Sequence, residues 1–187
     1  MLRAPGGTGV GKPEGKKGDP ELVPGAAEAL GRSRGGFTTK LHLASDGHGR
    51  PLALHVTVGQ RHDSRELEAV LDRIRVPGKC GRPRKRPAVV CLDRGYSYPR
   101  CREVLRRRKL PHVIPERKDQ REQRQQKGSR GGRPPRFDRT LYARRNEVER
   151  CINRLKQFRA VATRYDKRGQ NYLAVATFAA IMLWIRH

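Results

Sequence analysis

The chain has 187 residues, and its 43 lysines and arginines outnumber 18 aspartates and glutamates, which gives a formal net charge of +25. A charge of this size predicts a polyanionic partner (DNA, RNA or an anionic membrane) and says nothing about the fold. The length suffices for one domain with a hydrophobic core. The four cysteines lack Cys-x-x-Cys spacing, which argues against a zinc site and a disulfide framework and indicates a reducing cytoplasm.

Neither a signal peptide nor a membrane span is predicted. The first eighteen residues contain Gly, Pro and Lys but no apolar run. The longest apolar stretch, Tyr172 to Ile185, is shorter than the roughly 20 residues that cross a bilayer, so a core helix is expected there.

Residues 1–36 are rich in Gly, Pro, Lys and Arg without periodicity, which predicts a flexible basic lead-in with little structure. Thr38 to Ala44 and Leu52 to Val58 then alternate apolar and polar residues, as half-buried strands do. The run from Ser45 to Gly49 between them has turn chemistry. Together these segments predict an antiparallel hairpin.

Ala88 to Leu92 is wholly apolar, which predicts a short strand that is buried on both faces and ends at Asp93. His112 to Pro115 is expected to form another short strand. Asp63 has the spacing of a helix N-cap relative to Glu66. Helices are predicted in three segments: Asp63 to Ile74, about Tyr98 to Lys109, and about Gln170 to Arg186.

Residues 116–137 are polar and carry a basic residue at every third position. A three-residue period drifts around a helix, and glycines and prolines interrupt the second half of the segment. A mobile basic loop is therefore predicted. Its regularly spaced cations are Lys118, Arg121, Arg124, Lys127, Arg130, Arg133 and Arg136.

The segment from Tyr142 to Lys156 consists mainly of good helix formers and contains no helix breaker. At about 100° per residue, one narrow face holds Tyr142, Arg145, Glu149 and Lys156. The neighbouring face carries an apolar stripe of Val148, Ile152 and Leu155. A carboxylate beside two cations and a phenol suits a metal site that binds the phosphate groups of a nucleic acid. Periodicity alone also allows an ordinary surface helix with an Arg145–Glu149 pair.

The spacing Tyr-x2-Arg-x3-Glu-x6-Lys, met by Tyr142, Arg145, Glu149 and Lys156, resembles the last catalytic helix of DDE transposases of bacterial insertion sequences. The flanking residues 145–157 and 162–167 look like the group named after insertion sequence five. Further similar runs lie at residues 31–36, 57–63 and 128–135, so the likeness covers about Ala29 to Arg186.

This resemblance implies an α/β, RNase H-like catalytic domain over residues 37–187, beginning at that fold's second strand. It implies DNA transposition by strand cleavage and transfer, with Mg²⁺ or Mn²⁺ held by Asp93 and Glu149. DNA at element ends and target is the implied partner, in a homo-oligomer or with an upstream-frame product. The expected DNA-contacting residues are Tyr142, Arg145, Lys156, Lys118, Arg121, Arg124, Lys127 and Arg130.

The family's first catalytic aspartate lies on its first, central strand, and Leu2 to Ala4 resembles the tail of that pattern. None of Asp19, Asp46 and Asp63 is assigned to this role, since Asp63 is expected to be a cap. We therefore expect a downstream-frame or truncated product that lacks the central strand and one metal ligand, and is inactive alone. The alternatives are a non-catalytic DNA-binding fragment that inhibits transposition, and a ribosomal or RNA-packaging protein.

Overall fold

The computed structural model describes residues 2–6, 28–33 and 36–186, which form a mixed α/β arrangement. The strands in these ranges are β1 (Leu2–Gly6), β2 (Gly31–Ser33), β3 (Gly36–Ser45), β4 (Pro51–Val58), β5 (Val90–Cys91) and β6 (His112–Val113). The α-helices there are α1 (Leu67–Arg73), α2 (Pro99–Arg107), α3 (Lys118–Gln126), α4 (Arg139–Ala143), α5 (Asn146–Lys156), α6 (Arg159–Ala162) and α7 (Gly169–Ile185).

The predicted hairpin is confirmed as β3 and β4, which pair antiparallel from Thr39 opposite Val58 onward. Strand β1 pairs antiparallel with the other edge of β3, and β2 pairs with β3 beside the end of β4. The prediction of little structure across residues 1–36 is therefore wrong at residues 2–6 and 31–33. Backbone pairing along an open strand edge does not depend on side-chain periodicity, so composition gave no signal. The rest of that prediction lies outside the described residues.

One face of the hairpin packs on helices α5 and α7. Leu41 is 2% exposed and Tyr172 is 1% exposed. The Tyr172 hydroxyl donates a hydrogen bond to the carbonyl of Val161 at 2.9 Å. The buried apolar residues of this core are Leu41, Cys151, Ile152, Leu155, Val161, Tyr172, Ala176, Ala179, Ala180 and Leu183. The apolar stripe predicted for the segment from Tyr142 to Lys156 is thus confirmed as the buried face of α5.

The opposite face of β3 is also buried, so the prediction of a half-buried strand is wrong there. Lys40 and His42 are each 5% exposed. Lys40 Nζ lies 3.2 Å from Asp63 Oδ1 and donates to the carbonyl of Arg61 at 2.5 Å. His42 Nε2 lies 2.8 Å from Thr57 Oγ1, and burial lowers the pKa of His42 to about 4. Mutual hydrogen bonding allows this polar face to be covered.

The segment that begins at Asp63 starts differently from the prediction. A short 3₁₀-helix, Asp63–Arg65, precedes α1, and the N-cap is His62, whose ring accepts from the backbone N–H of Ser64. The Asp63 side chain faces Lys40 and His42 instead of capping the helix. The ion pair of Asp63 with Lys40, which is distant in sequence, therefore replaces the predicted role of Asp63 as a helix N-cap.

Strand β5 is shorter and less buried than predicted, since it covers Val90 and Cys91 alone and both are half-buried. It pairs parallel with β6, with Val90 opposite His112 and Cys91 opposite Val113. Within the described ranges no other strand pairs with β5. The strand therefore has a single neighbour in the described part of the chain, and the prediction that both of its faces are buried is wrong.

The predicted mobile loop at residues 116–137 contains α3 and a 3₁₀-helix, Gly128–Gly131, so that prediction is wrong. The Arg124 guanidinium forms two hydrogen bonds of 3.0 Å to Glu116. Gln120 exchanges hydrogen bonds with Ser97 at 2.6 and 3.2 Å. Helix formers extend to Gln126, and the breakers begin only at Gly128.

The single helix predicted from Tyr142 to Lys156 is instead α4 and α5, joined at Arg144 and Arg145. The junction stays helical in backbone conformation but tightens into i→i+3 bonds, such as Arg145 N to the carbonyl of Tyr142 at 2.9 Å. The side-chain faces therefore nearly follow the prediction. The last predicted helix is confirmed as α7. None of the helices among residues 36–186 is long and apolar enough to cross a membrane.

Arg164 joins segments that are far apart in the chain. It is 4% exposed, and burial lowers the pKa of its guanidinium. Its acceptors are the carbonyls of Glu28 (2.6 Å), Ala29 (3.3 Å), Asp166 (2.7 Å) and Lys167 (2.7 Å), and the hydroxyl of Thr39. One side chain thus ties residues 28–29 to β3 and to the α6–α7 connection.

We expect Arg164→Met to lower the free energy of unfolding by about 3 kcal/mol or more, because several buried carbonyls lose their donor. Chemical denaturation followed by circular dichroism measures the change. The matched control is Arg159→Met, since Arg159 is exposed and donates to the Tyr165 hydroxyl at 3.2 Å. Equal losses in the two variants would contradict the role given to Arg164.

Candidate active site

Helix α5 holds Glu149 at the surface by burying the other side of the helix. Cys151 and Leu155 are fully buried and Ile152 is 9% exposed, so the helix cannot rotate without exposing apolar surface. The Glu149 side chain remains 51% exposed. A carboxylate placed in this way can receive a cation or a phosphate-bound metal from solvent.

Asp93 is mounted just after β5 at the start of a 3₁₀-helix, Arg94–Tyr96. Its Oδ1 accepts a hydrogen bond from the backbone N–H of Gly95 at 2.8 Å. A Cβ at position 95 would lie 2.9 Å from this oxygen, which explains the glycine. One carboxylate oxygen is thereby oriented, and the residue stays exposed to solvent.

The end of β5 is linked to the α4–α5 junction. The Cys91 thiol donates to the carbonyl of Leu141 at 3.5 Å. Cys91 is two residues before Asp93, and Leu141 is one residue before Tyr142. Arg145 lies within electrostatic reach of Asp93 and donates to Glu149 Oε1 at 2.6 Å. Glu149 is therefore in contact with Arg145, and Asp93, on another element, is near enough for its charge to act on the same guanidinium.

Arg145 is the centre of this cluster. Its Cζ lies 5.7 Å from the centroid of the Tyr142 ring, and that ring packs 5.1 Å from the ring of Phe137. Burial alone would lower the pKa of Arg145, but the hydrogen bond to Glu149 and the neighbouring charges, including Asp93, raise it. The guanidinium is thus charged, contacts the Tyr142 ring and the Glu149 carboxylate, and is influenced by the charge of Asp93.

The carboxylate oxygens of Asp93 and Glu149 are the hard ligands that Mg²⁺ and Mn²⁺ prefer, and both groups are exposed. Mg²⁺ often uses one or two protein carboxylates together with substrate phosphates and water. The chemistry of these two carboxylates therefore suits such an ion. Residues 2–6, 28–33 and 36–186 contain no group of three His, Cys, Asp or Glu side chains arranged to hold a metal.

The remaining predicted site residues lie farther out. Lys156 is exposed at the last position of α5, seven residues and about 10 Å along the axis from Glu149. Lys118 Nζ lies 3.7 Å from Glu122 Oε1. Arg124 is paired with Glu116. The others, Arg121, Lys127 and Arg130, are exposed on α3 and the turn that follows it.

Two basic residues beside Asp93 were missed by the sequence analysis. Arg94 and Arg117 line an open cleft of about 590 Å³ together with Gly95, Lys118, Asp119 and Glu122. Gln120 docks α3 against Ser97, which places the start of α3 at this cleft. No local sequence signal distinguishes Arg94 and Arg117 from the many other arginines.

Comparison with known proteins identifies the family of the chain. A family model described as the transposase DDE domain matches residues 11–184. The chain belongs to this family. An RNase H-like α/β fold and metal-dependent, nuclease-type chemistry are characteristic of DDE transposases, and the mixed α/β arrangement agrees with that fold.

Two relatives are named as transposases of insertion sequences. The protein named for insertion sequence element IS402 of Burkholderia cepacia is 37% identical over 83 residues, covering 44% of this chain and 39% of that protein. The protein named for insertion sequence element IS6501 of Brucella ovis is 26% identical over 154 residues, covering 80% of this chain and 100% of that protein. The alignments thus span less than half of the first relative and all of the second. No solved structure matches the chain.

We expect Glu149→Gln to change the free energy of unfolding by at most about 0.5 kcal/mol, because exposed i,i+4 ion pairs on helices contribute little. Thermal or denaturant unfolding measures the effect. Leu155→Ala is the comparison on the same helix and should cost about 3 kcal/mol, since Leu155 is fully buried. A large loss in Glu149→Gln would indicate a structural role for this carboxylate.

Proposed function

We propose that the chain is the catalytic part of a transposase of the group named after insertion sequence five, which cleaves and joins DNA strands at insertion-sequence ends. Asp93 and Glu149 are the proposed metal ligands, for Mg²⁺ or Mn²⁺, in a catalytic domain over residues 37–187. The observation that supports this most directly concerns Arg145, which donates to Glu149 at 2.6 Å and is also influenced by the charge of Asp93 on another element.

A bound metal ion would activate water or a DNA 3′-hydroxyl and neutralise the leaving oxygen. The protein's own contribution is position and charge. Asp93 is oriented by Gly95 and Glu149 by Arg145, while Arg145 is steadied by the Tyr142 ring. Arg145 exposes part of its guanidinium and is placed to donate to a phosphate next to the carboxylates. Lys156 extends the positive surface along α5.

DNA is the proposed partner because a net charge of +25 suits a phosphate backbone. The exposed cations of α3 and the following turn are Arg121, Lys127 and Arg130, and α3 begins at the cleft lined by Arg94 and Arg117. Contacts of this kind position a duplex without reading its sequence. We propose a homo-oligomer, or association with an upstream-frame product, as the working assembly.

The alternative function is a non-catalytic DNA-binding fragment that inhibits transposition by competing for element ends. It is favoured by one observation, namely that the described ranges contain no group of three His, Cys, Asp or Glu side chains that could hold a metal ion. We propose that the third ligand comes from a strand encoded upstream in another frame. Sequencing the DNA upstream of the Met1 codon tests this: an Asp-x-Ser/Thr strand in an overlapping frame supports it, and stop codons without such a strand favour the inhibitor.

We expect Asp93→Asn and Glu149→Gln each to lower Mg²⁺-dependent cleavage of element-end DNA by about 100-fold or more while leaving DNA affinity nearly unchanged. Cleavage is measured in the transposase form that contains the upstream strand, and Mn²⁺ binding to the 187-residue chain by electron paramagnetic resonance. Both variants should weaken Mn²⁺ binding.

Glu147→Gln is the matched control for these variants, because it removes the same charge from the same helix. Glu147 pairs with Arg150 at 2.9 Å and has no role in the proposed site. Normal Mn²⁺ binding and cleavage in Glu149→Gln would overturn the metal assignment. Robust cleavage by the 187-residue chain alone would refute the proposal that its third ligand is missing.

We expect replacing both Arg121 and Lys127 with Ala to reduce the slope of log K against log salt for duplex binding by about 1.8, because each phosphate that a cation neutralises adds about 0.9 to the slope. Fluorescence anisotropy across a salt series measures the slope. Arg124→Ala should change it less, since that guanidinium is committed to Glu116. An equal effect in Arg124→Ala would show that general charge, and not these positions, sets the affinity.

A further inference from the structure

A second open cleft is lined in part by Tyr98. It has a volume of about 610 Å³, and its lining consists of Val58, Gln60, Arg61, His62, Ser64, Arg65 and Tyr98. The lining includes two arginines, a histidine and several neutral hydrogen-bonding groups but no carboxylate. The chemistry of this cleft suits an anion.

Arg61 is held in a fixed orientation at this cleft. Its Nε donates to Glu66 Oε1 at 2.6 Å, and its own carbonyl accepts from Lys40 Nζ at 2.5 Å. The Glu66 side chain is 8% exposed and is also bonded to His55 Nε2 at 3.1 Å. The guanidinium is thereby oriented through Nε, while its side chain remains 48% exposed.

Glu66 stays ionised in this arrangement. Burial would raise the pKa of Glu66, but the hydrogen bonds from Arg61 and His55 lower it. Nearby Asp63 faces Lys40 and His42. Both carboxylates near the cleft are therefore engaged by cationic or imidazole groups. Arg61 and Arg65 are both exposed.

The cleft is attached to the element that carries Asp93. The rings of His62 and Tyr98 meet edge to face with centroids 5.3 Å apart, and Arg117 donates to the Tyr98 hydroxyl at 3.0 Å. The Cys101 thiol lies 3.6 Å from the carbonyl of Ser64. Tyr98 is five residues after Asp93, which limits the separation of their Cα atoms to about 18 Å. A DNA strand at Asp93 can therefore reach this cleft.

We propose that the cleft binds phosphodiester groups of the DNA strand that passes Asp93, with Arg61 as the pre-oriented donor and Arg65 as a second cation. The proposal rests on the proposed function, since it concerns DNA held at the same site. It also explains the buried contacts of Lys40 with Asp63 and of Glu66 with His55. Lys40 binds the Arg61 carbonyl and Glu66 binds the Arg61 guanidinium, so these contacts hold Arg61 in position. A planar guanidinium with free N–H groups is well suited to phosphate.

The test compares variants in metal-free duplex binding, so it does not depend on catalysis. Arg65→Ala removes an exposed side chain and should leave the fold intact. Arg61→Lys keeps the positive charge but removes the planar guanidinium, which can donate to Glu66 through Nε and to a phosphate through its terminal nitrogens at the same time. Affinity for a fluorescein-labelled 30-base-pair duplex is measured across a salt series, and unfolding curves verify that each variant is folded.

We expect Arg65→Ala to lower the salt slope by about 0.9 and Arg61→Lys to weaken binding despite its retained charge. Arg168→Ala is the matched control, because Arg168 is exposed at the start of α7 and does not line the cleft. Unchanged binding in Arg65→Ala and Arg61→Lys would overturn the inference, as would an equal reduction of the slope in Arg168→Ala. Failure of the proposed function would appear separately, in the metal binding and cleavage of Asp93→Asn and Glu149→Gln.

Discussion

The arrangement depends on a buried cation, Arg164, that forms no ion pair with a carboxylate of the described residues. The guanidinium of Arg164 is satisfied mainly by backbone carbonyls, which come from residues 28–29 and from the connection between α6 and α7. A buried charge is tolerated when its hydrogen-bonding groups are met, and carbonyl dipoles do so here without a second buried ion. Because Thr39 of β3 is also bound, the sheet and the C-terminal helices are held in one register. The packing of α5, and with it the position of Glu149, follows from that register.

The face of β3 opposite the apolar core shows a second way to bury a sheet. Alternation predicted that Lys40 and His42 would face solvent, yet both are buried through contacts with Asp63 and Thr57. This solution costs desolvation, as the lowered pKa of His42 shows, but it fixes nearby groups in ways that an apolar surface cannot. The backbone of Arg61 is one group fixed in this manner. Polar burial beside a proposed nucleic-acid site is thus more readily explained by positioning than by stability.

Sequence patterns predicted the elements whose periodicity comes from one dominant apolar face, namely the β3–β4 hairpin, α7 and the buried stripe of α5. They failed where long-range contacts decide the structure. Helix α3 has no buried residue and is held by Gln120 on Ser97 and by Arg124 on Glu116, so its basic repeat suggested a loop. In the candidate site, the motif spacing pointed to Glu149, and the position after a predicted strand pointed to Asp93; the roles of both residues remain predictions. The arginines at positions 61, 94 and 117 could not be singled out among so many basic residues, because their role depends on tertiary placement.

The ion pair between Arg145 and Glu149 sets a condition on the proposed chemistry. In the absence of metal, the guanidinium neutralises the carboxylate that a divalent cation would need, and the charge of Asp93 favours the same guanidinium. A metal ion bound at the proposed site would therefore compete with Arg145 for Glu149. A DNA phosphate offers Arg145 another anionic partner, so DNA binding would release Glu149 and raise its affinity for metal. By linkage the metal must then strengthen DNA binding by the same factor. In such a site, Glu149 would become available to the metal only after DNA has bound. The ion pair with Arg145 is exposed and weak, so a DNA phosphate could replace Glu149 as the partner of Arg145.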